Sequence, residues 1–267
     1  MINTLYNEDC MITLDKMIEN NIKIDGVITS PFYNTNREKK PLKEINGNYF
    51  HLNYRRRYDE FNDMMTEEEY IDFTVNLFNK LDKVLINNGC ILYNMSYGTE
   101  NVDLMYKTLF NIIDKTSFTI ADTISWKKKN ALPNSVSPNR LTRICEFIYV
   151  IVRKDEIKTF NANKEISSIR PNGQKMYKNY LNFIEAKNND GSCHLNKATY
   201  SSELVTKLID IYFKENSLIY DPFMGTGTTA IGCFLRNCNY IGSELSKNQV
   251  DYSIKRIEEL TNNVSFY

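Results

Sequence analysis

The stretch that most constrains this fold is residues 217–230, SLIYDPFMGTGTTA. A short apolar run ends at Asp221, and Gly225 and Gly227 then precede a helical pattern. Glycine is favoured where the backbone takes positive φ or must approach a ligand closely. A buried strand, a glycine turn and a helix N-terminus together form a common cradle for nucleotide-like ligands.

An acidic residue further along the chain supports this interpretation. Glu244 ends a second apolar run, 23 positions after Asp221. A carboxylate about 20 residues on, at the end of the next strand, binds ribose hydroxyls in such folds. The glycine pair alone fits a plain strand–turn–helix equally well, because a third glycine is missing. With Glu244 it predicts an adenosine-type cofactor.

Composition places the chain among globular proteins. It has 267 residues, of which 42% are hydrophobic and 25% charged, so we expect one large domain. No run approaches 18 apolar residues, and we therefore expect no membrane span and a cytoplasmic protein. Six scattered cysteines and two histidines argue against a metal site and for reduced thiols.

Charge is distributed unevenly although the formal net charge is zero. Residues 36–58 carry seven Lys or Arg against two Glu, and Arg55, Arg56 and Arg57 are consecutive. Residues 127–197 carry fourteen Lys or Arg against six acidic residues. Such segregation indicates a polyanionic partner, while a solvated charged surface is the alternative for any single run.

Apolar strands alternate with amphipathic helices along the chain, which is typical of an α/β fold with a largely parallel sheet. Thr66 and Glu69 form the sequence signature of a capping box, so a helix should begin there. Residues 36–62 are interpreted as a long basic, mobile loop, and residues 155–193 as partly irregular. We expect strands at 26–29, 90–93, 118–126 and 146–152, and helices at 11–20, 66–85, 101–113 and 201–213.

A second candidate site follows the strand that ends at Thr29. Ser30 and Pro31 break the strand, and Phe32 and Tyr33 follow. A serine hydroxyl and backbone carbonyls can accept hydrogen bonds from an exocyclic amine, and aromatic rings can stack on a base. The alternative is an ordinary turn with two core aromatics.

Together the two stretches resemble the amino-methylating DNA methyltransferases. Residues 221–229, DPFMGTGTT, match that family's cofactor motif D-P-F-x-G-x-G-T-T at every position. Residues 30–33, SPFY, match three of four positions of its catalytic motif D/N/S-P-P-Y/F/W. The order, catalytic motif first and cofactor motif last, resembles the β group of these enzymes.

The resemblance implies a single methyltransferase domain over residues 1–267. It would have a Rossmann-like class I fold, with a largely parallel seven-stranded sheet and helices on both faces. Residues 127–197 would form an inserted target-recognition region. S-adenosylmethionine would be the cofactor, and double-stranded DNA the substrate. The resemblance also leaves room for a cognate restriction endonuclease and a homodimer.

Site residues follow from the same resemblance. Asp9 would bind the adenine amine, and Glu244 the ribose. The catalytic residues would be Ser30, Pro31, Phe32 and Tyr33. The cofactor-binding residues would be Asp9, Cys10, Thr29, Asp221, Pro222, Phe223, Gly225, Gly227, Thr228, Thr229, Glu244 and Leu245. The DNA-binding residues would be Arg55, Arg56, Arg57, Lys127, Lys128, Lys129, Arg140 and Arg143, and no metal is expected.

The implied reaction is transfer of a methyl group to the amine of a flipped base. In that family, serine at the first position of the catalytic motif leans towards N4 of cytosine, and aspartate or asparagine towards N6 of adenine, so the resemblance implies N4 of cytosine for Ser30. No Pro-Cys dipeptide occurs, which argues against C5 methylation through a cysteine nucleophile. The basic segment suits RNA equally and the cofactor motif does not discriminate between substrates, so a methyltransferase acting on RNA or protein remains an alternative. Phe32 stands where the family has its second proline, so an inactive nucleic-acid-binding relative is another.

Overall fold

The structure is a computed structural model, and it describes most of the chain. The described residues are 1–34, 44–45, 48–49, 65–97, 101–131, 133, 138–160, 162–191, 195–196 and 199–264. Arg55, Arg56, Arg57 and nearly all of the predicted basic loop lie outside them.

Twelve strands and six helices follow one another in these ranges. The strands are β1 (Thr4–Tyr6), β2 (Ile24–Thr29), β3 (Glu44–Ile45), β4 (Asn48–Tyr49), β5 (Leu85–Met95), β6 (Phe118–Lys128), β7 (Cys145–Arg153), β8 (Ile166–Ile169), β9 (Lys175–Tyr177), β10 (Phe183–Ala186), β11 (Leu218–Asp221) and β12 (Asn239–Ser243). The helices are α1 (Cys10–Glu19), α2 (Glu67–Val84), α3 (Leu104–Lys115), α4 (Ser202–Tyr212), α5 (Thr228–Phe234) and α6 (Lys247–Val264).

One sheet organises the molecule, in the order β1-β12-β11-β2-β5-β7-β6-β10. All neighbouring strands run parallel except β7, which is antiparallel to both β5 and β6. The strands β1, β12, β11, β2 and β5 therefore end at one edge, called here the carboxyl edge. This is the α/β architecture that the sequence predicts.

The sheet has eight strands instead of the predicted seven. The additional strand is β10, which pairs with the end of β6. It lies within residues 155–193, for which the sequence predicts irregular structure. Only Ile184 and Ala186 of its four residues are buried, so the periodic signal is too short to recognise.

Residues 127–197 contribute to the central sheet as well as to its surroundings. The range contains β7, a fully paired inner strand, and the edge strand β10. A separate two-stranded hairpin, β8 with β9, lies between them. Whether this region recognises a DNA target stays a prediction.

Helices cover both faces of the sheet. Successive strand residues point to opposite sides, and in the inner strands the residues on both sides are apolar and need to be covered. Val27 and Ile91 pack with α1, α2 and α3 on one face. Ile28 and Leu92 pack with α4 and the end of α5 on the other. Burial on both sides explains why the inner strands are continuous apolar runs.

The helix starts follow local signals in the sequence. Thr66 caps α2 and accepts a hydrogen bond from the Glu69 amide, and the Glu69 carboxylate accepts one from the Thr66 amide, which confirms the predicted capping box. Asp9 caps α1 through the amide of Met11. None of the helices in the described ranges has the length and apolar character needed to cross a membrane.

Candidate active site

Four loops meet at the carboxyl edge, each following a parallel strand. Asp9 follows β1, Ser30 follows β2, Pro222 follows β11 and Glu244 follows β12. Because β2 is paired with β11, and β11 with β12, the loops lie side by side. The two sequence motifs, some 190 positions apart, therefore meet at adjacent strand ends.

Asp221 joins these loops from behind. Its side chain is fully buried and accepts hydrogen bonds from the hydroxyls of Thr29 (2.7 Å), Thr229 (2.6 Å) and Tyr200 (3.0 Å) and from the Phe223 amide (3.0 Å). Burial raises the pKa of Asp221, and the donors that surround it lower it in part. The carboxylate therefore links the end of β2 to the loop between β11 and α5, residues 222–227, called here the glycine loop.

The glycine loop requires both of its glycines. Gly225 has φ 55° and Gly227 has φ 80°, a left-handed conformation that side chains rarely adopt. A Cβ at Gly227 would also approach the Cβ of Ser253 to 2.8 Å. Gly227 ends the loop, and α5 begins at the next residue.

Glu244 is held against the same loop. One carboxylate oxygen accepts a hydrogen bond from the Gly225 amide at 2.9 Å, and the other accepts one from the Ser246 amide at 2.9 Å. Carboxylate oxygens can each accept more than one hydrogen bond. The orientation of this acidic group is thus fixed at the carboxyl edge.

A cleft of about 190 Å³ opens between the four loops. Ten of the predicted site residues line it: Asp9, Cys10, Ser30, Phe32, Pro222, Phe223, Gly225, Thr228, Glu244 and Leu245. The other six of the sixteen predicted catalytic and cofactor-binding residues lie outside its lining: Thr29, Pro31, Tyr33, Asp221, Gly227 and Thr229.

Further residues of the lining were not predicted as site residues: Glu8, Met65, Phe73, Asn196, Thr199, Tyr200, Met224 and Thr226. Met224 and Thr226 occupy the variable positions of the cofactor motif, and Glu8 precedes Asp9, so proximity in sequence could have indicated all three. Phe73 lies inside α2 and has the pattern of an ordinary core residue.

The start of α1 brings acidic groups to the cleft. The Glu8 carboxylate accepts a hydrogen bond from the Thr13 hydroxyl at 2.9 Å and pairs with Lys16 at 2.5 Å. Beside it, burial and the neighbouring Asp9 carboxylate raise the pKa of the Cys10 thiol. Cys10 is therefore a neutral, apolar contact at this wall.

The loop after β2 is packed among aromatic rings. The Phe32 ring lies 5.2 Å from the Tyr70 ring, 5.7 Å from Phe73 and 5.9 Å from Phe223, measured between centroids. Its carbonyl accepts a hydrogen bond from the Tyr70 hydroxyl at 2.8 Å. Phe223 belongs to the cofactor motif, so Phe32 connects the two motifs directly.

The Tyr33 hydroxyl reaches towards β7. Its hydroxyl lies 3.4 Å from the Ser30 hydroxyl and donates to the Glu146 carboxylate at 3.5 Å. Glu146 also pairs with Lys128 at 2.5 Å. A polar row thus extends from the cleft to the end of β6.

The lysines predicted to bind DNA are all paired with carboxylates. Lys127 lies 3.0 Å from Glu185, and Lys129 lies 2.5 Å from Glu203. Burial alone would raise the pKa of Glu203, but hydrogen bonds from Lys129, Lys207 and the Lys187 amide hold it at about 2.

The two described arginines of the predicted DNA-binding set lie in the loop between β6 and β7. Arg140 is exposed. Arg143 donates to the Tyr97 carbonyl at 2.8 Å, and its guanidinium lies 4.3 Å from the centroid of the Tyr97 ring. Arg143 is therefore anchored beside the end of β5, at the carboxyl edge.

Comparisons with known proteins agree with this geometry. A family model described as DNA methylase, of the N6/N4 methyltransferase class, matches residues 24–255. The Type II methyltransferase M.HinfI of Haemophilus influenzae is 27% identical over 277 residues, which cover 98% of this chain and 70% of that protein. M.Cfr9I of Citrobacter freundii is 28% identical over 141 residues, 53% of this chain and 45% of that protein.

Solved structures share the fold. The crystal structure of M1.HpyAVI superimposes with a TM-score of 0.61 at 20% identity, covering 95% of this chain and 98% of that one. The cytosine-N4-specific PvuII DNA methyltransferase gives a TM-score of 0.65 at 14% identity, covering 95% and 86%. M1.HpyAVI has also been solved as a complex with S-adenosylmethionine.

The family model covers most of the chain, and its region includes the loops after β2 and β11 that carry the two sequence motifs. The chain therefore belongs to the N6/N4 DNA methylase family, the S-adenosylmethionine-dependent enzymes that methylate amino groups of DNA bases.

Proposed function

We propose that this protein transfers a methyl group from S-adenosylmethionine to the exocyclic amine of a base flipped out of double-stranded DNA, with N4 of cytosine favoured over N6 of adenine. The observation that carries the proposal is the junction of the two motifs. Ser30 and Gly225 line one cleft, and the Thr29 hydroxyl bonds Asp221 at 2.7 Å behind it.

The residues of the cleft fit an adenosine cofactor. Glu244 presents a fixed carboxylate suited to ribose hydroxyls, and Asp9 offers a second one suited to the adenine amine. Phe32, Phe73 and Phe223 supply an apolar wall. A Cβ at Gly225 would lie 3.3 Å from the side-chain nitrogen of Asn196, so glycine at this position leaves space between the loop and Asn196.

When bound, S-adenosylmethionine supplies an electrophilic methyl group on its sulfonium. The protein's part is then to hold the target amine and orient its lone pair. The Ser30 hydroxyl oxygen and the Pro31 carbonyl are the groups that accept the amino hydrogens, and Tyr33 offers a ring face to the base. Proximity and orientation supply most of the acceleration, so a strong general base is not required.

Serine at position 30 supports the cytosine preference. In this family the first position of the catalytic motif is serine more often in N4-cytosine enzymes, whereas aspartate or asparagine accompanies adenine. A solved relative in fold, the PvuII enzyme, is cytosine-N4-specific. A cognate restriction endonuclease and a homodimer remain predictions.

Base-resolved sequencing of DNA from cells that express the protein tests the proposal. We expect N4-methylcytosine at one short recurring sequence, absent from cells expressing a Ser30→Ala variant. N6-methyladenine at such a sequence would overturn only the base preference.

Tritiated methyl transfer to DNA, RNA and protein in parallel covers the remaining alternatives. Transfer to RNA or protein alone would contradict DNA as the substrate. S-adenosylmethionine binding without transfer to any of them would identify an inactive relative.

A further inference from the structure

We infer that Tyr70, on α2, is a positioning residue for the amine-binding loop, residues 30–33. Its hydroxyl restricts this loop in place of the second proline of the family's catalytic motif, where this chain has Phe32. The inference rests on the proposed methyl transfer and extends it to a residue outside both motifs. Tyr70 does not line the cleft and acts through Phe32.

The first support is the hydrogen bond between α2 and the loop. The Tyr70 hydroxyl donates to the Phe32 carbonyl at 2.8 Å, and the Tyr70 side chain is fully buried. Water cannot compete for the carbonyl at a buried site, so the bond holds the peptide that follows Phe32 in one orientation. That peptide links Phe32 to Tyr33, the ring expected to stack on the base.

The second support is the packing of the Phe32 ring. It is 7% exposed and meets the Tyr70 ring edge-on, at an interplanar angle of 82°. Phe223 of the cofactor motif also meets the Phe32 ring edge-on, at 87°. Rotation of the loop would break both ring contacts, and such contacts are worth more than their buried area alone.

These contacts restrict the loop where its sequence does not. Proline fixes φ near −65° by covalent structure, whereas phenylalanine leaves φ free. Here side chains from α2 and from the glycine loop supply the restriction. The departure from the family's motif is therefore compensated in space, and it does not indicate an inactive protein.

The test is Tyr70→Phe, which removes one hydroxyl and keeps the ring contact. We expect the single-turnover rate of methyl transfer to unmethylated genomic DNA to fall about tenfold, because a small misplacement of a reacting group lowers the rate strongly. The Kd for S-adenosylmethionine should stay within about twofold of the wild-type value, since Tyr70 lies outside the cleft lining.

Tyr149→Phe is the matched control. Tyr149 is another buried tyrosine, and its hydroxyl bonds only the Met105 sulfur among the described contacts, at 3.4 Å. This variant should transfer methyl groups at the wild-type rate.

Each outcome bears on one claim. Three results would overturn the positioning role: an unchanged transfer rate in Tyr70→Phe, an equally lowered rate in Tyr149→Phe, or loss of cofactor binding in Tyr70→Phe. The first would show that the hydroxyl does not affect the rate. The other two would indicate a general structural effect. Wild-type protein that transfers no methyl group to DNA would instead overturn the proposed function.

Discussion

Asp221 begins the cofactor motif, yet its carboxylate points into the protein and not into the cleft. Three hydroxyls and one amide donate to it, and they come from β2, α5, the glycine loop and the segment before α4. A buried charge is tolerated when hydrogen bonds satisfy it. Burial and the adjacent Asp221 carboxylate raise the pKa of Tyr200 well above its ordinary value, so its hydroxyl keeps its proton and remains a donor.

Replacing Asp221 by asparagine should therefore lower stability. Asp221→Asn weakens charge-assisted bonds and places an amino group against hydroxyls that donate, so we expect a loss of about 1–3 kcal/mol in the free energy of unfolding. Asp251→Asn, which removes only an exposed pair with Lys247, should change it by less than about 0.5 kcal/mol. Chemical denaturation measures both, and equal losses would contradict the role of Asp221.

The Ser30 hydroxyl should affect the rate of methyl transfer and not the binding of the cofactor. Ser30→Ala removes the hydroxyl that accepts an amino hydrogen, and we expect the single-turnover rate to fall about 100-fold. The Kd for S-adenosylmethionine should stay near the wild-type value. Ser117→Ala, which alters an exposed hydroxyl between α3 and β6, is the control and should leave the rate unchanged. A Ser30→Ala enzyme with full turnover would remove Ser30 from the mechanism.

At the scale of elements, α2 is tied to the loop after β2 at two points. One is the Tyr70 hydrogen bond, and the other is a reciprocal pair at the start of the helix. Asn34 donates to the Met65 carbonyl at 2.8 Å and accepts from the Met65 amide at 2.9 Å. Met65 lines the cleft, so this pair places a cleft residue that is distant in sequence.

Asn34→Gly tests this pair. Asn34 has φ 45°, a conformation that glycine adopts without strain, so the substitution removes only the side chain and its bonds. We expect a loss of about 1–3 kcal/mol in the free energy of unfolding. Asn216→Gly is matched, because Asn216 is exposed at φ 67° and its described bonds use backbone atoms. A loss of that size in Asn216→Gly would assign the effect to backbone freedom.

The same elements show what the sequence could predict. The strands ending at Thr29 and Asp221 appear as apolar runs stopped by proline, and the capping box marks the start of α2. Met65, by contrast, reaches the cleft through a bond to a residue 31 positions away. Contacts of that kind leave no local pattern. The bond from Tyr70 to the Phe32 carbonyl leaves no local pattern either, since a tyrosine at this place in the helix has the pattern of a core residue.

Across the whole molecule, the predicted DNA-binding lysines differ in their surroundings. Lys127 and Lys128 are consecutive residues of β6 and point to opposite faces of the sheet, and Lys129 lies in the turn that follows. Lys127 and Lys129 have side chains 39% and 45% exposed, in pairs that a phosphate can replace because exposed ion pairs are weak. Lys128 is 16% exposed, pairs with Glu146, and lies 5.1 Å from the centroid of the Trp126 ring.

The salt dependence of DNA binding should therefore separate these lysines. Each phosphate contact contributes about 0.9 to the slope of log K against log salt concentration. We expect Lys127→Gln and Lys129→Gln each to reduce the slope by about one, and Lys128→Gln to leave it unchanged, because Lys128 holds Glu146 beside Tyr33. Lys128→Gln should instead lower the methyl-transfer rate. A reduced slope in Lys128→Gln alone would show that the buried pair opens on DNA and would reverse the assignment.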